Sequence, residues 1–397
     1  MLLAGSVESS GGAGPESEFT TKAPRHQEGF RSGLCVFVSW WLAPVLFSRR
    51  GCGRRLSVIF CSVPAPANRN DGDAFRADVR RIWDEFQRLD KSHEFGNLEG
   101  GSVEQQRDRR LQLHHCANYA AVLQVLRQTG QTRLTGQTAP LRLLELGCGS
   151  GGLTSVLAKV MPDGWTIEAT DYSEHLLAGA RARFECANLH FRHLDVRSLA
   201  SERLAGVDAV HQHEVIEHLP PEEAAGLLRR VYDALPVGGL MVMTTLDRAA
   251  FPRPFSGYAP HFVEYTYASL DRFLRDRKHS PFEEHEVCRL VSERIVSESV
   301  RNEERGGYLV NRIQRLALGI GRRHPKLGAI RGWVESRLFR LYSLLPERNG
   351  FDFDGFLADL DFVRSGQERH DHDSFGLVAV LKKTGAVRDM TGMPDSA

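Results

Sequence analysis

Short apolar runs alternate with amphipathic stretches through the middle of the chain. Runs at 143–146, 165–170, 189–194, 207–211 and 239–245 have strand length. Between them, 153–160, 174–186 and 222–235 carry apolar residues at helical spacing. Strands alternating with helices predict an α/β fold whose mostly parallel sheet is doubly wound, with its site at the strand C-termini. Ahead of this block, Phe75, Val79, Ile82, Trp83 and Phe86 share one helical face, as do Ala120, Val122, Leu123 and Leu126. A loop at 96–101 separates the two helices, which are placed to cap a cofactor or simply to pack. Beyond the block, 267–277 reads as a helix and 288–300 as a strand. Two amphipathic helices follow at 308–320 and 327–345, and a closing strand at 375–381.

The organisation predicted is an unstructured or non-native extension at 1–70 and a helical cap at 71–135. A cofactor-binding core at 136–300, a basic helical insert at 301–350, a closing segment at 351–385 and a disordered tail at 386–397 complete it. Residues 1–70 are rich in Gly, Ser, Pro and Arg, and their apolar run at 34–47 is too short to span a bilayer. A targeting or membrane-touching role is the alternative for that run.

The first apolar run ends in Glu145-Leu-Gly147-Cys148-Gly149-Ser-Gly151, a strand, a glycine turn and a helix start. The glycines admit positive φ and close approach of a nucleotide. Gly147, Gly149 and Gly152 also fit the dinucleotide-binding spacing, so the turn alone is ambiguous. Glu145 shifts the balance, because a carboxylate there suits an ammonium group such as that of methionine. Asp171 ends the second strand, placed for ribose hydroxyls, and Asp195 ends the third, placed for an adenine amino group. After the fourth strand comes His211-Gln-His213-Glu214-Val-Ile-Glu217-His218-Leu-Pro. One helical turn starting near Glu214 puts Glu214 on one face with Glu217 or His218. Two carboxylates and an imidazole suit Mg²⁺, Mn²⁺ or Fe²⁺. A metal-free reading has Glu217 and His218 capping the next helix.

This arrangement resembles the class I S-adenosylmethionine-dependent methyltransferases over roughly residues 140–250 and the closing strand. The resemblance implies a seven-stranded Rossmann-like sheet with a helical insert before the last strand. It implies a cofactor site of Glu145, Gly147, Cys148, Gly149, Gly151, Asp171, Tyr172, Asp195, Val196 and His213. Glu214-x-x-Glu217-His218, Gly238-Gly239 and Thr245-Leu-Asp-Arg248 are similar to the ubiquinone-pathway O-methyltransferases. The small-RNA 3′-terminal 2′-O-methyltransferases share the acidic motif and add a segment matched here by His261, Glu264 and Thr266, with Val263 and Tyr265 departing from it. Both resemblances imply Mg²⁺ or Mn²⁺ on Glu214, Glu217, His218 and His261. Without metal, His218 or His261 is the candidate general base.

Composition then narrows the partners. Lys and Arg number 51 against 50 Asp and Glu, so no global charge favours nucleic acid. DNA is not expected. The seven cysteines form no CxxC pair, which fits reduced thiols in a cytoplasmic protein. Between 301 and 348, ten arginines and one lysine face four glutamates. That excess fits a solvated lid, an anionic membrane surface touched peripherally, or RNA. The sequence therefore predicts O-methylation of a small aromatic or lipid-linked acceptor. An RNA 3′-terminal 2′-O-methyltransferase is the second reading, and a non-catalytic cofactor-binding regulator the third.

Overall fold

The computed structural model describes residues 69–89, 109–131, 140–199, 206–258, 260–304, 351–364 and 372–385, with 308, 312 and 316 singly. In chain order these form α1 (Arg69–Gln87), α2 (Arg109–Gln131), β1 (Arg142–Leu146), α3 (Gly152–Val160), β2 (Thr166–Asp171), α4 (Glu174–Phe184), β3 (Leu189–His193), β4 (Ala209–His213), α5 (Pro221–Ala234) and β5 (Leu240–Leu246). There follow α6 (Tyr267–Arg275), β6 (Glu284–Val291), α7 (Glu293–Asn302), α8 (Phe353–Ala358), β7 (Asp361–Val363) and β8 (Ser374–Lys382). The predicted helices at 308–320 and 327–345 and nearly all of residues 1–70 lie outside the described residues.

One sheet holds all eight strands in the order β3-β2-β1-β4-β5-β8-β6-β7. β1 to β5 are mutually parallel, and β8 runs antiparallel between β5 and β6. Strand alternation sends Leu143, Ala209, Val242 and Val378 into one apolar layer, and Leu144, Val210, Met241 and Leu377 into the other. The first layer packs under α1 and α2 through Phe75, Ile82, Leu123 and Leu126, and the second under α5 and α6 through Leu228, Val231 and Leu270. The chain leaves β1 toward β2 on one side and finds β4 on the other. That reversal opens a crevice at the C-terminal ends of β1 and β4.

Two expectations change. The sheet has eight strands rather than seven, the addition being the three-residue edge strand β7 paired with the end of β6. So short a strand leaves no alternation to read. The expected strand at 288–300 ends at Val291 and gives way to α7. Ser292 forces the change by accepting the Ile295 N–H at 3.1 Å, an N-cap with Glu293 in the first turn. Among the described residues, no helix is long and apolar enough to cross a membrane.

Candidate active site

The glycine turn is sewn to the end of β2. Gly147 and Cys148 donate their N–H groups to Thr170 O at 2.7 and 2.9 Å. Gly149 N–H donates to Asp171 Oδ2 at 2.9 Å, and Ser173 N–H to Asp171 Oδ1 at 2.8 Å. Gly147, Gly149 and Gly151 have φ of 79°, 56° and 79°. A Cβ on Gly147 would lie 2.5 Å from Val215 Cγ2, whereas one on Gly149 would meet nothing within 4 Å. The turn is thus closed below by Val215 and open above Gly149, where a ligand backbone or sugar can approach. Burial, with Glu145 close by, pushes the Cys148 thiol well up, so it is a packing residue and not a nucleophile.

Glu145 is fully buried on β1. Its Oε1 accepts the Tyr119 hydroxyl from α2, and His211 Nε2 lies 4.0 Å away. Its Oε2 makes no well-formed hydrogen bond, although the Thr154 hydroxyl acts on the carboxyl from nearby. Burial raises its carboxyl to about 7, against the hydrogen bond from Tyr119. A buried acceptor atom without a well-formed hydrogen bond is costly, and an ammonium group is the partner that would satisfy it. The residues of this turn therefore fit S-adenosylmethionine.

The side expected to meet adenine differs in one particular. Tyr172 is 59% exposed beside the turn. Asp195, expected to meet an adenine amino group, is held by Arg197 through Nη2 at 2.7 Å and Nε at 3.0 and 3.1 Å. It also caps the short turn Val196–Ser198 by accepting the Arg197 N–H. Val196 is half-buried at the start of that turn.

The acidic and histidine residues fall into two sets. Glu217, His218 and His261 bring one ligand atom each within 4.8 Å of one another. Phe262 and Val263 donate to Glu217 O at 2.8 and 3.3 Å, which straps the 261–263 backbone onto the Ile216–His218 turn. His261 Nδ1 donates to Glu264 Oε1 at 2.7 Å, leaving Nε2 as its lone-pair atom. Arg248 Nε pairs with Glu264 Oε2 at 3.2 Å, so Arg248 braces His261 through Glu264. Asp247 accepts the Ser374 hydroxyl at 2.7 Å, tying that corner to β8. Glu217 is 1% exposed, and neither carboxylate oxygen makes a well-formed hydrogen bond, although the Thr245 hydroxyl and its own N–H lie near enough to act on it. Burial and then the Glu214 charge push its carboxyl well up. Burial, with His261 alongside, pushes His218 down to about 4. Such an imidazole is a weak general base at neutral pH but a ready metal ligand.

Glu214 lies near enough to act on Glu217 and His218 through its charge, but its ligand atom groups with α2 instead. It lies before the turn, at φ 50°, so it does not share a helical face with Glu217 or His218. Its Oε1 takes His114 Nε2 at 2.7 Å and lies 3.6 Å from His115 Nδ1. His115 Nδ1 is 2.9 Å from His213 Nε2, and His213 Nδ1 is 2.7 Å from Thr244 Oγ1. His114, His115 and Tyr119 were not legible as site residues, because α2 reads as a packing helix. The available signal was polar side chains interrupting an otherwise apolar helix that buries His114, His115 and Asn118.

Comparisons with known proteins agree with this geometry. Residues 143–239 match the family model described as a methyltransferase domain. A malonyl-[acyl-carrier protein] O-methyltransferase of Bacillus cereus is 30% identical over 115 residues, 29% of this chain and 41% of the relative. A ubiquinone biosynthesis O-methyltransferase of Caulobacter sp. is 34% identical over 110 residues, 27% of this chain and 42% of the relative. The chain thus spans less than half the length of these two curated relatives. Among solved structures, phosphoethanolamine N-methyltransferase 2 of Haemonchus contortus with S-adenosyl-L-methionine aligns at 16% identity and TM-score 0.38, over 78% of this chain and 60% of that one. By its glycine turn, its sheet and the match across 143–239, this part of the chain is a methyltransferase domain of the class I S-adenosylmethionine-dependent type.

Proposed function

We propose that this chain transfers the methyl group of S-adenosylmethionine to an oxygen of a small aromatic or lipid-linked acceptor. Glu217, His218 and His261 would hold an Mg²⁺ or Mn²⁺ ion for that reaction. The observation that carries the metal is Glu217, a buried carboxylate with no well-formed hydrogen bond on either oxygen and two imidazoles beside it. An isolated buried charge is expensive, and a cation removes the cost. An ion bound there supplies Lewis acidity that lowers the pKa of an acceptor hydroxyl.

The chain's own residues do the rest. Glu145 Oε2 receives the ammonium, Asp171 the ribose, and the open side of Gly149 lets the cofactor approach the backbone. Glu264 holds Nδ1 of the His261 ring, leaving Nε2 as the nitrogen that would bind an ion. Alignment of the acceptor oxygen with the methyl group contributes roughly 7–11 kcal/mol of the barrier reduction. The named relatives are O-methyltransferases, which supports oxygen as the acceptor atom. A terminal ribose diol of RNA is the second acceptor, because it offers the same vicinal oxygens to an ion held at this site.

Label transfer from methyl-labelled S-adenosylmethionine to a catechol probe or to an RNA oligonucleotide, with and without EDTA, tests this. Transfer to a phenolic oxygen that EDTA abolishes is expected. Transfer that EDTA leaves intact refutes the metal role, and label found only on RNA overturns the small acceptor.

A further inference from the structure

We propose that His114, His115 and Glu214 form a second divalent-cation site, separate from Glu217, His218 and His261 and independent of the reading given to them. The ion class is a first-row transition metal such as Mn²⁺, Fe²⁺ or Zn²⁺, because two imidazoles and one carboxylate suit these better than Mg²⁺ or Ca²⁺.

The geometry comes from two elements that meet only in the folded chain. α2 supplies His114 and His115, and the residue following β4 supplies Glu214. One ligand atom from each lies within 4.8 Å of the other two. His114 Nε2 and Glu214 Oε1 are 2.7 Å apart, and His115 Nδ1 and Glu214 Oε1 are 3.6 Å apart. Ligand atoms at bond lengths of about 2.1 Å are separated by roughly 3.0 Å in an octahedron and 3.4 Å in a tetrahedron. The two distances bracket those edges. His213 Nε2 stands a further 2.9 Å from His115 Nδ1, and its ring is pinned by Thr244 through the other nitrogen. That places a third imidazole against His115, as a hydrogen-bond partner that orients its ring.

A plain ion pair accounts for less. One hydrogen bond from His114 would satisfy Glu214 Oε1. It would not call for a second imidazole near the same oxygen, with a third facing that one. Backbone conformation points the same way. Glu214 is the only non-glycine residue with positive φ among the described residues, at 50°, and its N–H is fixed on Thr244 O at 2.9 Å. A left-handed glutamate is uncommon and is maintained where it aims a functional group. Here it places the carboxylate against α2. His114 and His115 are 5% and 8% exposed, so an ion between them would be shielded from water on the α2 side. Such an ion would tie the cap helix α2 to the end of β4, beside the open turn.

The test is cobalt stoichiometry on the full chain, stripped of metal by chelator and dialysed. Co²⁺ is titrated in by calorimetry, with the visible d–d absorption followed in parallel. Wild type is expected to take two ions, His261→Ala one, His114→Gln one, and the double variant none. The glutamine keeps a donor for Glu214, so the helix remains seated, and circular dichroism verifies this. X-ray absorption on the single ion held by His261→Ala is expected to show at least two imidazole shells. The proposal is overturned if His114→Gln binds as much Co²⁺ as wild type, or if the ion left in His261→Ala has at most one imidazole. Should His261→Ala bind as many ions as wild type while His114→Gln loses one, the Glu217 reading fails and this one holds.

Discussion

Glu145 is the most exposed point of the account to a solution experiment. Its carboxyl is fully buried, and that burial raises it from 4.5 to about 7. The folded chain therefore holds this proton more tightly than the unfolded chain does. The resulting stability is fully present below pH 4.5 and is lost as pH rises through about 7. The difference corresponds to about 3 kcal/mol, at 1.36 kcal/mol per pH unit. Glu145→Gln abolishes the titration and leaves an acceptor for the Tyr119 hydroxyl. In urea unfolding without cofactor, the variant should gain on wild type by about 3 kcal/mol between pH 4.5 and pH 8. Cofactor binding should move the opposite way. An ammonium on Oε2 favours the ionised carboxylate, so wild-type affinity for S-adenosylmethionine should rise as pH passes 7 and then level off. The variant should bind more weakly, with a flat pH profile. A stability difference between the two proteins that does not change with pH would refute the reasoning about burial. Equal cofactor affinity above pH 7 would refute the ammonium contact.

Other consequences are as direct. Gly147→Ala combines φ of 79° with a Cβ 2.5 Å from Val215 Cγ2, so it should cost about 1–3 kcal/mol in chemical unfolding; Val215→Ala in the same chain should restore only the steric share. Asp171→Ala removes the acceptor for the Gly149 and Ser173 N–H groups as well as for ribose. Calorimetry should show S-adenosylmethionine binding weakened by roughly 1.5–3 kcal/mol. Glu264→Gln loosens His261 without touching an ion, so Mn²⁺ affinity should fall about 10–100-fold with cofactor affinity unchanged.

Much of this was legible because the core elements are long and periodic. β1 to β5 and the helices between them follow apolar runs whose spacing has one reading. Glu145, Asp171 and the three glycines follow from their positions at strand ends, which the parallel sheet makes equivalent. What escaped was set by contacts between distant segments. Glu214 looked like a partner of Glu217 three residues on, but a left-handed residue and a late-starting turn aimed it at α2 instead. His114 and His115 became site residues only when α2 packed over β4, nearly a hundred residues later in the chain. Asp195 was correctly placed at its strand end, yet Arg197, two residues away, reached it first. β7 carries three residues and no pattern of its own, so only its pairing with β6 defines it.

The reading of Glu217 as the anchor of a divalent ion meets its most direct test in Mn²⁺ binding, followed by electron paramagnetic resonance on the full chain. Wild type should bind Mn²⁺, and Glu217→Gln should bind one ion fewer, with S-adenosylmethionine affinity essentially unaltered. Glu217→Gln binding as many Mn²⁺ ions as wild type would contradict the account.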